Sequence, residues 1–227
     1  MVQMINNLGK ICMPFLYLMG TYVLFNYTRS PSDKQLAKEV LSFNSIAKEK
    51  RTYGTGFRLR YRGKVYILTN LHVCEVSKML GYPEYALVDG ESFKVSKVLK
   101  RSTEHDICAL EDTDQNGGLP LSNKDLDVMD PLILIGHPLG LPVTVRRGNL
   151  IQKGIVVCVR YDSGARCLNA SRISALAYHG NSGSPVFNAD GEVAGILFAG
   201  SRAYPNKSLI VPYKDLVKFL KELASGK

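Results

Sequence analysis

The sequence lacks the residue spacings of a metal-binding protein. It has no C-x-x-C pair and no cluster of cysteine and histidine with the spacing of a zinc site, so a structural metal is not expected. It also has no internal repeat and no low-complexity segment. With 45% hydrophobic and 22% charged residues, the composition is that of a globular domain and excludes a disordered chain.

The sequence also lacks the motifs with which proteins read RNA or DNA. A net charge of +9 would suit an anionic partner, either nucleic acid or an acidic membrane surface. The lysines and arginines are, however, spread along the chain. We therefore predict a solvated basic surface and no nucleic-acid partner.

Cysteine is scarce, and one of the five residues, Cys12, lies in an apolar N-terminal segment. Cys158 and Cys167 flank a predicted hairpin, so they can face each other across two strands. Buried free thiols are the expected state of the remaining cysteines, because such residues pack as small apolar side chains. A Cys158–Cys167 disulfide is the alternative, and it would require an oxidising compartment.

Residues 11–27 form an apolar run between Lys10 and Arg29. Its length is at the lower limit for spanning a bilayer, and no small-residue cleavage site follows it. We predict an uncleaved signal anchor over residues 1–28, with a cleaved signal peptide or a buried or amphipathic helix as alternatives. A polar spacer with a helix is expected over 29–51, and a globular domain over 52–227. That domain would lie on the extracytoplasmic side of the membrane, or be secreted if the N-terminal segment is removed.

Beyond residue 52, short apolar runs alternate with turn signals such as Asp89-Gly90. Strands at this spacing are typical of β-barrels. The end of the chain differs, since Leu216, Leu220 and Leu223 share one face of a predicted helix. The pattern predicts an all-β domain followed by a C-terminal helix.

The run from His179 to Phe187 places Ser182 in a glycine-rich turn. Glycine adopts backbone angles that other residues avoid, and it lets a substrate approach closely. Backbone N–H groups in such a turn can converge on one point and stabilise an oxyanion. A serine hydroxyl is a weak nucleophile alone, so this interpretation requires a histidine and a carboxylate that activate it.

Both candidates lie upstream of Ser182. His72 follows an apolar run that ends at Thr69-Asn70, and Asp106 immediately precedes another apolar run. The order histidine, aspartate, serine is that of chymotrypsin-like double barrels. It excludes the subtilisin and α/β-hydrolase arrangements, in which the three residues follow in other orders.

Longer segments around these residues resemble trypsin-like serine proteases, most closely the HtrA/Deg and glutamyl-endopeptidase branches. The resemblance extends from about residue 52 to residue 223. It rests on the following segments: Leu68-Thr69-Asn70-Leu71-His72-Val73, Asp89-Gly90-Glu91-Ser92-Phe93, Asp106-Ile107-Cys108-Ala109-Leu110, Ile135-Gly136-His137-Pro138-Leu139-Gly140, Gly180-Asn181-Ser182-Gly183-Ser184-Pro185-Val186-Phe187-Asn188 and Val211-Pro212.

The resemblance implies two packed six-stranded antiparallel β-barrels, with the apolar helix before them and the C-terminal helix after them. It implies a serine endopeptidase that acts on protein or peptide substrates without a cofactor or a metal. Ser182 would be the nucleophile, His72 the general base and Asp106 the residue that orients the histidine. The N–H groups of Gly180 and Ser182 would form the oxyanion hole. We expect no PDZ domain in this chain.

Departures from the family pattern refine these expectations. Asn181 stands where digestive proteases carry the aspartate that pairs with a new N-terminus, so no activating cut is expected. Leu176 corresponds to the base of the S1 pocket, and the strand containing Phe198 and Gly200 is expected to bind substrate. Leu176 and Leu197 offer a carboxylate no partner, which favours a small or medium apolar P1 residue over glutamate.

Two alternative functions remain open for a chain with these motifs. A non-catalytic module that holds a peptide in the same cleft is one alternative, and a processing protease of viral or phage type is another. His105, next to Asp106, is expected to be exposed and incidental to the chemistry.

Overall fold

The computed structural model describes residues 31–47, 50–79, 85–88, 94–161, 164–200 and 207–226. The predicted anchor over residues 11–27, with the apolar helix expected there, lies outside these ranges. No helix within the described ranges is long and apolar enough to cross a bilayer. The same ranges contain no group of three or more histidine, cysteine, aspartate or glutamate side chains placed to hold a metal ion.

Apolar runs separated by turns form a first antiparallel sheet. Its strands are β1 (Val40–Ala47), β2 (Lys50–Tyr61), β3 (Lys64–Asn70), β4 (Tyr85–Val88), β5 (Lys94–Ser102), β6 (Ile107–Glu111) and β7 (Leu119–Pro120). The hydrogen-bonded order is β1-β2-β3-β6-β5-β4, and the short β7 lies parallel to β2. The β2–β3 hairpin turns at Arg62 and Gly63, which both have a positive φ, as tight hairpin turns require.

The second half of the chain closes into a six-stranded antiparallel barrel. Its strands are β8 (Pro131–Gly136), β9 (Thr144–Tyr161), β10 (Gly164–Ile173), β11 (Pro185–Phe187), β12 (Val193–Gly200) and β13 (Ser208–Val211). The order is β10-β13-β12-β11-β8-β9. Closure leaves the barrel without a free edge. The long β9–β10 hairpin pairs Cys158 directly with Cys167.

Three α-helices and one 3₁₀ turn accompany the strands in the described part of the chain. They are α1 (Pro31–Ala37), α2 (Leu71–Met79), the 3₁₀ turn Pro138–Gly140 and α3 (Tyr213–Ser225). Helix α3 buries Leu216, Phe219 and Leu220, with Leu223 partly buried beside them. This is the predicted apolar face with Phe219 added. The helix stops at Gly226, which has a left-handed backbone conformation.

The predicted polar spacer contains a strand. Residues 31–37 are helical, but Val40–Ala47 forms β1 and pairs with β2 along its whole length. Val40 and Phe43 are buried, so these residues belong to the packed sheet. The composition of the segment favours a helix, but pairing with β2 stabilises a strand instead. Local propensity does not predict this pairing, because it depends on a neighbouring strand. The domain boundary at residue 52 remains a prediction.

One hydrophobic cluster joins the two sheets. It contains Phe57 and Leu68 from the first sheet, Phe187 and Phe198 from the barrel, and Phe219 from α3. All five side chains are essentially inaccessible to solvent. The two units are therefore packed face to face, and the all-β architecture with a C-terminal helix is confirmed.

Candidate active site

His72 and Asp106 are held together by backbone and side-chain hydrogen bonds. His72 is the second residue of α2, which follows β3 directly, and Asp106 immediately precedes β6. Asp106 Oδ2 lies 2.7 Å from His72 Nδ1, and Asp106 Oδ1 accepts a hydrogen bond from the His72 backbone N–H at 3.0 Å. Asp106 is fully buried, whereas 21% of the His72 side chain is exposed. Since both carboxylate oxygens engage the same residue, the imidazole orientation is set by Asp106.

The backbone of Asp106 adds a second level of support. Its φ is +53°, a left-handed conformation that aspartate tolerates better than most residues. Its carbonyl accepts hydrogen bonds from Asn70 Nδ2 at 3.0 Å and from the Leu71 N–H at 3.1 Å. Thus the residues at the end of β3 hold the loop that carries the carboxylate.

Ser182 lies in a tight turn between β10 and β11. Gly180 and Gly183 have φ of +91° and +89°, values that a side chain disfavours. A Cβ on Gly183 would overlap the Thr55 carbonyl and the Thr69 hydroxyl, so glycine is required there by close approach of the first sheet. Ser182 Oγ donates a hydrogen bond of 3.4 Å to the Phe198 carbonyl. No hydrogen bond joins it to His72 in the described part of the chain, and such bonds are often looser in the absence of substrate.

Two N–H groups in this turn have no acceptor within the described ranges, those of Gly180 and Ser182. The carbonyl of His179 accepts from the Leu139 N–H at 2.6 Å, and the Asn181 carbonyl accepts from the Ser184 N–H at 2.9 Å. In a trans peptide the C=O and the following N–H point in opposite directions. The two N–H groups therefore point away from these bonds and are available to a ligand oxygen.

Thr55 joins the first sheet to this turn, and sequence reasoning did not identify it. Its hydroxyl donates to the Gly180 carbonyl at 2.7 Å and accepts from the His137 N–H at 3.0 Å. Its backbone N–H donates to the Ser182 carbonyl at 2.8 Å. Thr55 is completely buried. One residue thus bridges three segments of the site, a role that only the fold reveals.

The residues expected to bind substrate occupy different environments. Gly200 is exposed, and a Cβ there would come within 3.1 Å of the Ala177 carbonyl. Leu176 is half-buried. The Phe198 ring is 2% exposed and belongs to the central cluster. Phe198 contacts Ser182 through its backbone carbonyl and not through its ring.

The structure corrects the expectation for His105. The residue is 6% exposed, and its ring nitrogens lie 3.5 Å from Asp215 Oδ2 and 3.7 Å from Glu104 Oε2. Asp215 is in the first turn of α3. Two carboxylates thus lie near this histidine. A hydrogen bond from Lys218 lowers the pKa of one of them, Glu104, which favours its charged form. His105 links the loop before Asp106 to the C-terminal helix.

The cysteine expectation is also corrected, because the described cysteines form two disulfides. Cys158 pairs with Cys167, the alternative left open above, and Cys74 pairs with Cys108. Cys74 lies two residues after His72, and Cys108 lies two residues after Asp106. The second disulfide therefore links the helix that carries the imidazole to the strand that follows the carboxylate. Its partners are distant in sequence, so no local spacing indicates the pairing.

Comparisons with known proteins agree with the motifs. The family model of the trypsin-like peptidase domain matches residues 54–196. The chain is 32% identical over 73% of its length to a probable periplasmic DegP-like serine endoprotease of Halomonas elongata, and 29% identical over 68% of its length to the serine protease Do-like HtrA of Bacillus subtilis. It spans only 34% and 35% of the length of these relatives.

A solved structure shows the same fold. The Rv3671c protease from M. tuberculosis in its active form superposes with a TM-score of 0.70, covering 88% of this chain and 86% of that one at 18% identity. This likeness establishes the chymotrypsin-like fold, and the family match covers most of the domain. The predicted resemblance is confirmed: the chain belongs to the trypsin-like peptidase family.

Proposed function

We propose that the chain is a serine endopeptidase that cleaves peptide bonds through an acyl-enzyme. The observation that carries the proposal is the buried Asp106 carboxylate bonded to both the Nδ1 and the backbone N–H of His72. A carboxylate in this position fixes the tautomer in which Nε2 carries no proton, and it stabilises the imidazolium formed during the reaction. A histidine so held acts as a general base for a nearby hydroxyl.

In the proposed reaction, Ser182 Oγ attacks the scissile carbonyl carbon while His72 Nε2 takes the hydroxyl proton. The resulting tetrahedral intermediate collapses, the C–N bond breaks, and His72 returns the proton to the leaving amine. A water molecule, deprotonated by the same nitrogen, then hydrolyses the ester and regenerates Ser182. The weak bond from Ser182 Oγ to the Phe198 carbonyl must be exchanged for one to His72 at the start.

The free N–H groups of Gly180 and Ser182 would bind the oxyanion of both intermediates. Neither has an internal acceptor in the described part of the chain, so they accept the developing charge without breaking another bond. A donor of this kind contributes about 3–4 kcal/mol to the stabilisation of the transition state. The bonds from Leu139 and Thr55 hold the turn in the form that the oxyanion needs.

We infer a small or medium apolar P1 preference. The corresponding pocket would be bounded by Leu176 and by the backbone at Ala177 and Gly200, which approach each other closely. Leucine and alanine offer no counter-charge, so an acidic or basic P1 side chain would be desolvated without compensation. The Phe198 carbonyl, which lies 3.4 Å from Ser182 Oγ, would accept a hydrogen bond from the substrate backbone.

Active-site labelling tests the enzymatic proposal. We expect the full chain to react with a fluorophosphonate probe, and Ser182→Ala to abolish the labelling. Ser225→Ala, an exposed serine on α3, is the matched control and should label normally. Absence of labelling in the folded wild-type chain would instead support a peptide-binding module.

Peptide-library cleavage tests the specificity. Small and medium apolar P1 residues should dominate the products of the wild-type chain. Leu176→Asp should introduce cleavage after lysine and arginine, because a carboxylate at the pocket base pairs with a cationic side chain. Leu141→Asp, at an exposed position near the cleft, is the control and should leave the P1 profile unchanged. Acidic or basic P1 residues in the wild-type profile would contradict the proposal.

We also propose an extracytoplasmic location with membrane attachment through residues 11–27. Two disulfides support the location, because they persist in oxidising compartments. The periplasmic name of the Halomonas elongata relative agrees with it. Carbonate extraction should leave the full chain in the membrane fraction and release a variant that lacks residues 1–28. Release of the full chain would refute the anchor.

A further inference from the structure

A cation from the second sheet lies beside the buried Asp106. Arg166 is on β10, and its Nη1 is 4.0 Å from Asp106 Oδ1. Only 15% of the Arg166 side chain is exposed, so solvent screens the interaction incompletely. Asp106 lies in the loop just before β6 of the first sheet, whereas Arg166 belongs to the barrel. The guanidinium therefore crosses the boundary on which the proposed site lies.

The same guanidinium is held by a second carboxylate. Arg166 Nη2 donates hydrogen bonds to both oxygens of Glu75, at 2.9 and 3.0 Å. Glu75 lies on α2, three residues after His72, with 25% of its side chain exposed. Arginine cannot lose its proton under ordinary conditions, so the cation is permanent. It is shared between Asp106, which bonds His72, and Glu75, which lies on the same helix as His72.

Each partner of the ion pair is next to a disulfide. Glu75 follows Cys74, whose disulfide reaches the strand after Asp106, and Arg166 precedes Cys167, whose disulfide crosses the β9–β10 hairpin. These covalent links restrain the backbone on both sides of the Glu75–Arg166 pair. The position of Arg166 relative to Asp106 is consequently set by the framework rather than by the flexible side chain alone.

We propose that Arg166 is a positioning residue that orients the Asp106 carboxylate and offsets part of its negative potential at His72, and that Glu75 limits this effect. The inference rests on the proposed peptidase function. A cation near Asp106 offsets part of the negative potential that stabilises the imidazolium. Glu75 acts in the opposite direction because its charge offsets that of Arg166.

Two described charged groups act on the His72–Asp106 pair, one directly on Asp106 and one on the cation beside it. Glu75 is on α2, and Arg166 is on β10. His105 adjoins Asp106 in sequence, but its ring contacts Asp215 and Glu104 instead. Arg166 is the barrel residue whose charge lies at 4.0 Å from Asp106.

The pH dependence of kcat/KM for an apolar peptide substrate tests the inference. Arg166→Met should raise the apparent pKa of the acidic limb by about half a pH unit and lower kcat about tenfold through misorientation of Asp106, with a smaller change in KM. Glu75→Gln should move the limb in the opposite direction. Arg166→Lys retains the charge and should restore the wild-type limb in part.

Arg172→Met is the control, because Arg172 lies on the same strand and hydrogen-bonds Gln152. It should leave both the limb and kcat unchanged. An NMR titration of the His72 ring in a Ser182→Ala background reports the same shifts without activity. If Arg166→Met does not fold, Glu75→Gln and Arg166→Lys still decide the sign.

The inference is overturned if the acidic limb of kcat/KM lies at the same pH in wild type, Arg166→Met and Glu75→Gln. It is also overturned if the two variants shift that limb in the same direction. Either outcome leaves the peptidase proposal intact. Failure of the wild-type chain to label with fluorophosphonate would overturn the peptidase proposal instead. The two failures are therefore distinguishable.

Discussion

The Thr55 hydroxyl donates a hydrogen bond to the Gly180 carbonyl at 2.7 Å, across a sequence separation of more than half the chain. The bond joins the first sheet to the turn that carries Ser182. Because the same hydroxyl accepts from the His137 N–H, it also connects the two loops whose contact orients the Gly180 peptide. The geometry of the proposed oxyanion hole thus depends on a residue of the opposite sheet.

Thr55→Val should weaken both stability and turnover. The substitution leaves the Gly180 carbonyl and the His137 N–H without their partner in a buried site, which costs about 1–3 kcal/mol. We expect a matching decrease in the free energy of unfolding by urea titration and a lower kcat. Thr55→Ser keeps the hydroxyl and should recover most of kcat. Equal kcat in the valine and wild-type proteins would show that this bond has no part in catalysis.

Gly180→Ala should lower kcat strongly. A Cβ at this position would lie 2.6 Å from the His137 carbonyl and 2.7 Å from the Leu139 nitrogen, at a φ of +91°. The turn must shift, and the loss of one oxyanion donor decreases kcat by about 10²–10³-fold. Gly154→Ala is the matched control, since its φ is +66° but no atom lies within 4 Å of the added Cβ. Steady-state kinetics should separate the two variants, and similar kcat values would contradict the assigned role.

Removal of the two disulfides should have unequal effects on stability. The Cys74–Cys108 bond spans 34 residues and the Cys158–Cys167 bond spans 9. Loop entropy then predicts losses of about 4 and about 2.5 kcal/mol for the paired serine variants. Denaturant titration of Cys74→Ser/Cys108→Ser and Cys158→Ser/Cys167→Ser measures both values. A larger loss for the shorter loop would disagree with this account.

Asn181→Asp should destabilise the domain without conferring dependence on N-terminal processing. Asn181 is 2% exposed, and its Oδ1 is one of the buried oxygens without a hydrogen-bond partner in the described part of the chain. A carboxylate there would be an uncompensated buried charge, costing about 3 kcal/mol or more. Thermal unfolding should show the loss.

The wild-type chain should need no activating cut. We expect equal activity from the full-length chain and from a variant that starts at residue 29. Activity that appears only after truncation would refute this expectation.

Local patterns predicted the fold class and the elements around the site because their causes are local. The glycines that flank Ser182 allow positive φ. The apolar run that ends before His72 and the apolar run that begins after Asp106 both form strands, and the spacing of Leu216 and Leu220 predicts a helix. The strand at Val40–Ala47 was missed because its partner β2 supplies the stabilisation. The burial of His105 was missed because α3, which covers it, lies about a hundred residues further along the chain.

Local sequence accounts for the order of the site residues and for the turns that present them: a histidine just after one strand, an aspartate just before another and a serine between glycines. The distant groups that support these residues are brought into place by the packing of the fold. Thr55 reaches Gly180, Arg166 reaches Asp106, and Cys74 reaches Cys108. These contacts join segments that are far apart in the chain and have no signature in the neighbouring residues. The first two follow from packing of the two sheets, and the third from packing of α2 on the first sheet.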